Sequence, residues 1–176
     1  KYFTVFGSLI MLFVVVYIDF FKRILITNPD YWEALSIVPI ILLANLCLGI
    51  YHNLSVWYKV TDRTRFGAYI SVVGAILTIV LNFVLIPYIS YIGSAIATLA
   101  AYGSMMVLSY VFGQRLYAIP YNLKRIGGYL LLSIGFSALS FYVFDGDLII
   151  GTVLLLVFLS VLFFAEKKEL LRIMNR

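Results

Sequence analysis

The chain has 176 residues, of which 64% are hydrophobic, 17% aromatic and only 12% charged, with a formal net charge of +5. Soluble domains carry about 45–50% apolar and about 25% charged residues, so this balance excludes a water-soluble globule, a disordered chain and a basic nucleic-acid-binding face. What remains is an all-α polytopic membrane protein, whose single cysteine, Cys47, permits no internal disulfide and reads as a small core residue.

Six apolar runs approach the ~20 residues that cross a hydrocarbon core. In chain order they are 3–21, 34–58, 66–86, 93–112, 126–144 and 148–164, with Pro87 stopping the third. Runs this continuous predict helices, because lipid admits only helices or closed barrels, and barrel strands would alternate apolar with polar residues. The first run starts directly after Lys1, is too long for a signal peptide and offers no small-residue cleavage site. It reads as a span within a longer polytopic chain, and 165–176 reads as a basic tail leaving the membrane.

The basic residues sort unevenly between the two sides. Lys1, then Lys59, Arg63 and Arg65, then Arg115, Lys124 and Arg125, and finally Lys167, Lys168, Arg172 and Arg176 fall on one side. The other holds only Lys22 and Arg23, offset by Asp30 and Glu33. By the positive-inside rule both ends of the segment face the cytoplasm.

Polar residues inside spans are costly and therefore informative. In the second span Asn45, Gly49, His52, Asn53 and Lys59 keep to roughly one helical stripe. Two readings fit: one wall of a water-filled cavity open toward the cytoplasm, or interhelical hydrogen bonding with an interfacial histidine. The third span carries Ser71, Ala75, Thr78 and Asn82, and the fourth Gly93, Ala97, Ala100, Ala101 and Ser104. Such small-residue stripes let helices approach closely, so the two spans are expected to form an antiparallel hairpin with these faces meeting, Asn82 also being a candidate for a cavity wall. Gly127, Gly128, Ser133, Gly135, Ser137 and Ser140 predict close packing of the fifth span, whereas the sixth is almost wholly apolar and reads as lipid-facing. Asp19, the one acidic residue inside a span, has Lys22 and Arg23 at i+3 and i+4; an ion pair explains it, and proton or cation coupling is the alternative. Tyrosines with Trp32 and Trp57 near span ends suggest an aromatic belt, and Asp145 to Asp147 reads as a tight turn.

Catalytic and metal motifs are missing: no phosphate loop, no paired cysteines, no zinc-protease or nucleophile-elbow pattern. One histidine and one cysteine do not make a metal site, so no cofactor is expected, and transport suits sparse uncharged polar stripes better than enzymatic chemistry.

The stretch from Tyr31 to Phe112 resembles a known family. It runs through "VPIILLANLCLGIYHNLS" and the basic loop "YKVTDRTRFG" to "LNFVLIPYISYIGSAIATLAAY". The last string is similar to the N-x-x-L-I-P-x-x-G-x-x-G-A-A-x-A-T signature of polysaccharide biosynthesis proteins, the O-antigen and capsule repeat-unit flippases of the multidrug/oligosaccharidyl-lipid/polysaccharide exporter superfamily. Asn82, Leu85, Ile86, Pro87, Gly93, Ala95, Ala97 and Thr98 carry the match. The departures are Tyr-Ile-Ser-Tyr where the pattern has its first glycine, and Ser94 in place of a glycine or alanine.

The resemblance implies two six-helix lobes around a central cavity, working by alternating access. Residues 1–112 would be the last four helices of the C-terminal lobe, 113–164 an additional pair, and 165–176 the tail. The cargo implied is an undecaprenyl-diphosphate-linked oligosaccharide, moved across the bacterial inner membrane for lipopolysaccharide or capsule synthesis. Asn45, His52, Asn53 and Asn82 would then line the path, with Lys59 at its cytoplasmic mouth. The partners implied are the lipid-linked substrate, the bilayer and the N-terminal lobe, with no nucleic acid. A drug or cation antiporter of the same superfamily is the rival reading, for which Asp19 is the coupling candidate; a membrane glycan polymerase or acyltransferase is a more distant one.

Overall fold

The computed structural model describes residues 2–26, 28–144 and 146–174, leaving Lys1, Thr27, Asp145, Asn175 and Arg176 outside it. The chain is 89% helical with no strand among the described residues, as the unbroken apolar runs require. Helices α1 (Tyr2–Val16) and α2 (Ile18–Leu25) are followed by a 3-10 segment, Pro29–Ile37. Then come α3 (Val38–Leu54), α4 (Val56–Val60) and α5 (Arg65–Leu116). Helix α6 (Leu123–Ala138) runs into a π-helical turn, Leu139–Val143, and α7 (Leu148–Met174) closes the chain.

Four stretches are long and apolar enough to cross a membrane, Trp32–Val60, Arg65–Leu116, Leu123–Val143 and Leu148–Lys167, and the bent pair α1–α2 makes a fifth. Helix α5 is two passes. Straight, its 52 residues would reach about 78 Å, against a hydrocarbon core of about 30 Å. Its helical geometry fails at Ile89 (φ −130°, ψ 18°) and Ser90 (φ 49°, ψ −130°). Leu85 and Gly93 would be about 12 Å apart along a straight helix. Instead a Cβ placed on Gly93 would sit 2.8 Å from the Leu85 carbonyl carbon, so the chain doubles back between them. The hairpin expected from the small-residue stripes is therefore present, and the described residues give six apolar passes.

The turn itself differs from expectation. Pro87 does not stop the third span; the helix carries through it to Tyr88 and breaks two residues later. A proline deletes only its own N–H bond and crowds the carbonyl four residues before it, and neighbouring helices accommodate the loss in lipid. Ser90 takes the positive-φ position that glycine occupies without strain, and it stands where the signature has its first glycine.

The passes form two compact units, 30–121 and 1–29 with 122–176. In the first unit α3 and α4 pack on both limbs of α5. Tyr51, Ile70 and Met105 form a buried cluster, and Trp57 lies against Ser109 and Gly113 near Phe66. These contacts make the first limb antiparallel to α3 and the second parallel to it, the alternation that successive membrane passes demand. The second limb buries Gly93, Ala97, Ala101, Met105, Ser109 and Gly113 at every fourth position. Facing it, Gly74 is buried, and a side chain there would collide with the Met105 sulfur. Ser71, Ala75 and Ala100 are exposed. The seam thus runs one position away from the stripe expected on the third span, because a glycine admits the bulk of Met105 where alanine or serine would not.

Trp57, placed at an interfacial belt by its position in the chain, is only 2% exposed. Its indole Nε1 donates to the Ser109 carbonyl at 3.1 Å, and a Cβ on Gly113 would lie 2.9 Å from the ring. A buried indole needs a partner for its N–H, and the Ser109 carbonyl supplies one.

In the second unit α1 packs on α6 and α7. The Ser133 hydroxyl donates to the Ser8 carbonyl at 3.0 Å, and Gly151 brings Val16 and Ser140 into contact with α7. Leu12, Val16, Tyr129, Phe158 and Leu162 form its buried cluster. Helices α1 and α6 are parallel and α7 antiparallel, again as alternating passes require. One expectation is corrected here. The first span is not continuous over 3–21, since it bends by 69° at Tyr17. Helix α7 carries the sixth span and continues as helix through the tail to Met174, with Glu166 buried. Asp147 caps α7, its Oδ1 accepting from the Ile149 and Ile150 N–H groups at 2.8 and 3.3 Å, with Gly146 at φ 73° completing the turn. Asp145, Lys1 and Arg176, which entered the turn and charge readings, lie outside the described residues, as do the side chains of 168–174.

Candidate functional site

Helix α3 begins with Pro39 in its first turn, where the missing N–H costs nothing, and then presents two unlike faces. Ala44, Cys47, Ile50 and Tyr51 are buried against α5. Asn45, His52 and Asn53 are exposed, with Gly49 half-buried between them. At 100° per residue Asn45, Gly49, His52 and Val56 fall on one stripe, with Asn53 at its edge. Asn45 and His52 are about 10 Å apart along the axis.

The stripe is held in place by its own backbone. The Asn53 side-chain amide donates to the Gly49 carbonyl at 3.0 Å, and the Ser55 hydroxyl donates to the His52 carbonyl at 2.6 Å. The His52 ring stands 5.3 Å from that of Tyr51, whose hydroxyl lies 3.3 Å from the Tyr58 hydroxyl and 3.5 Å from Ser71 Oγ. Exposed Lys59, on α4 beyond the Ser55 turn, lies about 20 Å along the axis from Asn45. This face offers amide and imidazole groups, which exchange hydrogen bonds with water or hydroxyls, and it ends in one ammonium. No group of three or more metal-ligating side chains occurs among the described residues.

The remaining candidates stand apart. Asn82, in the first limb of α5, is half-buried, and its Oδ1 is sequestered without a hydrogen-bond partner. Since that limb is antiparallel to α3, Asn82 lies toward the hairpin turn, away from His52 and Lys59. Asp19 belongs to the other unit. It stands beyond the bend, in α2, and its carboxylate is paired with the Lys22 ammonium. Trp57, Ser109, Gly113, Gln114, Tyr117 and Tyr121 line a small cleft in the first unit, where burial raises the Tyr121 phenol above its ordinary value.

Two polar groups escaped the sequence reading. The Tyr129 hydroxyl donates to Glu166 Oε1 at 2.6 Å inside the second unit. A carboxylate following an apolar run gives no warning that the helix will keep it buried. Thr4 and Ser8 are also buried, 4% and 0% exposed, on the α1 face that meets α6. Their four-residue spacing was the available signal.

Residues 2–84 match the MatE family. The match takes in Asp19, Asn45, His52, Asn53, Lys59 and Asn82, and it supports the multidrug/oligosaccharidyl-lipid/polysaccharide exporter superfamily, with membrane transport as the activity. The all-α architecture with its long apolar helices is consistent with a polytopic membrane transporter. No curated protein and no solved structure gave a significant match.

Proposed function

We propose that this chain supplies one wall of a hydrated path through which the headgroup of a lipid-linked oligosaccharide passes between leaflets of the bacterial inner membrane by alternating access. The observation that carries the reading is the exposed stripe of Asn45, His52 and Asn53 on the α3 face opposite its packing. A polar face at membrane depth is costly against lipid, so it belongs to a cavity or to another protein surface. Uncharged amides and an imidazole suit sugar hydroxyls, and Lys59 suits the diphosphate as it enters. The charge asymmetry supports a cytoplasmic position for that mouth and for both ends of the segment. The chain then belongs to the later part of a two-lobe carrier, with the other lobe supplying the opposite wall.

The test is flipping of a lipid-linked oligosaccharide by the full-length transporter carrying Asn45→Leu and His52→Leu. The variant is expected to be inserted normally and to lose transport. Unchanged transport would remove the stripe from the path. The antiporter reading requires a carboxylate that works in coupling, and Asp19 is engaged by Lys22 outside the straight part of the span. Normal ion-coupled export by an Asp19→Asn variant would dispose of that reading.

A further inference from the structure

Helix α2 is the part of the fold that the transport path leaves unexplained. Helix α1 ends at Val16, Tyr17 leaves helical geometry (φ −98°, ψ 22°), and α2 departs at 69° to α1. Spanning helices tilt by about 20° from the membrane normal on average, so a helix bent this far from one runs nearer the membrane plane than the normal. Its eight residues cover about 12 Å, too short to cross. The bend is anchored within its unit: the Tyr17 hydroxyl lies 3.4 Å from Thr152 Oγ1 on α7, and Ile18 is 5% exposed.

The eight residues divide cleanly around the axis. Asp19, Lys22 and Arg23 fall on one arc, and Phe20, Phe21 and Ile24 on the other. Phe20 and Ile24 are 58% and 63% exposed, among the more exposed large apolar side chains of this unit. They do not form an isolated patch. Phe13, on the exposed side of α1, has its ring 6.2 Å from Phe21, which in turn is 5.8 Å from Phe20. The apolar surface that α1 turns outward therefore continues around the bend onto α2. A short amphipathic helix of this kind lies in the headgroup region with its apolar side sunk about 5–10 Å.

We infer that α2 is an interfacial anchor: Phe20 and Ile24 seat in the headgroup–acyl boundary of the bilayer, while Arg23, beside the Asp19–Lys22 ion pair, faces the lipid phosphates. Lipid is favoured over a protein partner by this unbroken continuation of the α1 surface and by the complementarity of the exposed Arg23 to phosphate. The anchor gives Arg23 a purpose on the side where basic residues are otherwise missing from the loops. It also fixes the depth of the α1 end, so that the broken span does not slide.

The experiment is depth-dependent quenching in the full-length transporter reconstituted in liposomes containing anionic lipid. A Cys47→Ala background would carry one fluorophore at a time, on Phe20→Cys, Ile24→Cys or Arg23→Cys. Labels at 20 and 24 are expected to lose most of their emission to a nitroxide near the lipid headgroup and little to one at the chain end. The label at 23 is expected to be quenched by aqueous iodide. Strong quenching at 20 and 24 by the deep nitroxide would mean a straight span and overturn the inference. Iodide quenching at those two positions, or protection from every quencher, would overturn it as well, the last pointing to a covering protein surface.

Discussion

The two units solve one problem in different ways. Each packs two parallel helices with an antiparallel third, and neither gains a hydrophobic drive for doing so in lipid. The 30–121 unit closes by shape. Gly74 of the first α5 limb admits Met105 and Gly113 of the second admits Trp57, while Gly93, Ala97 and Ala101 keep the rest of the second limb's buried face small. The unit of α1, α6 and α7 closes along a hydroxyl seam of Thr4, Ser8, Ser133, Ser137 and Ser140, with Tyr129 bonded to Glu166 below it. The polar groups of the second unit are turned inward, where Ser133 and Tyr129 donate hydrogen bonds, whereas Asn45, His52 and Asn53 of the first are turned out. Composition alone does not separate these uses; the face on which a polar residue stands does.

The contrast breaks most visibly at Trp57. Trp57→Ala empties the shape-packed seam and should cost about 3–5 kcal/mol, read as a fall in the unfolding midpoint of the detergent-purified protein. A loss below about 1 kcal/mol would show that the indole is not the keystone of that unit. Gly74→Leu and Gly151→Leu push a side chain into Met105 and into Val16 with Ser140, and each should cost about 1–3 kcal/mol by the same assay. Ser90→Gly should act in the opposite direction. Relief of a positive-φ serine, less the entropy glycine gains on unfolding, leaves a gain of about 1 kcal/mol. The smallest effects sharpen the account of the hydroxyl seam. Ser133→Ala removes a buried hydrogen bond and should cost about 0.6 kcal/mol, as interhelical bonds in membranes do. Ser137→Ala should cost nothing measurable, because its hydroxyl has no partner to lose.

Much of the fold is legible in the sequence because lipid simplifies the reading. Long apolar runs bounded by charge fix the number of passes, and small residues at fourth positions mark the hairpin of α5. Hydropathy sums over a whole window, however, and a break of one or two residues leaves that sum unchanged. The bend at Tyr17 and the turn at Ile89–Ser90 both fall inside apolar sequence, so Pro87 drew the boundary instead. The packed face of the third pass was read one position off, since Ser71, Ala75 and Gly74 are all small and only the partner Met105 decides among them. Glu166 was hidden for a different reason: a carboxylate beside Lys167 and Lys168 looks like solvated tail until the Tyr129 hydroxyl is placed next to it. The α3 stripe was visible as a spacing, but that Asn45, His52 and Asn53 are exposed while Tyr51 and Trp57 are buried came only from the fold.

The most direct test is whether water reaches that stripe at membrane depth. In the full-length transporter with Cys47→Ala, single cysteines at Asn45 and His52 would be compared with one at Ile76, an exposed residue of the first α5 limb. A membrane-impermeant maleimide should modify positions 45 and 52 in open membranes, lipid-linked oligosaccharide should slow that reaction, and position 76 should stay unmodified. Equal silence at all three positions would mean that the α3 stripe meets lipid or packed protein, and no path runs along it.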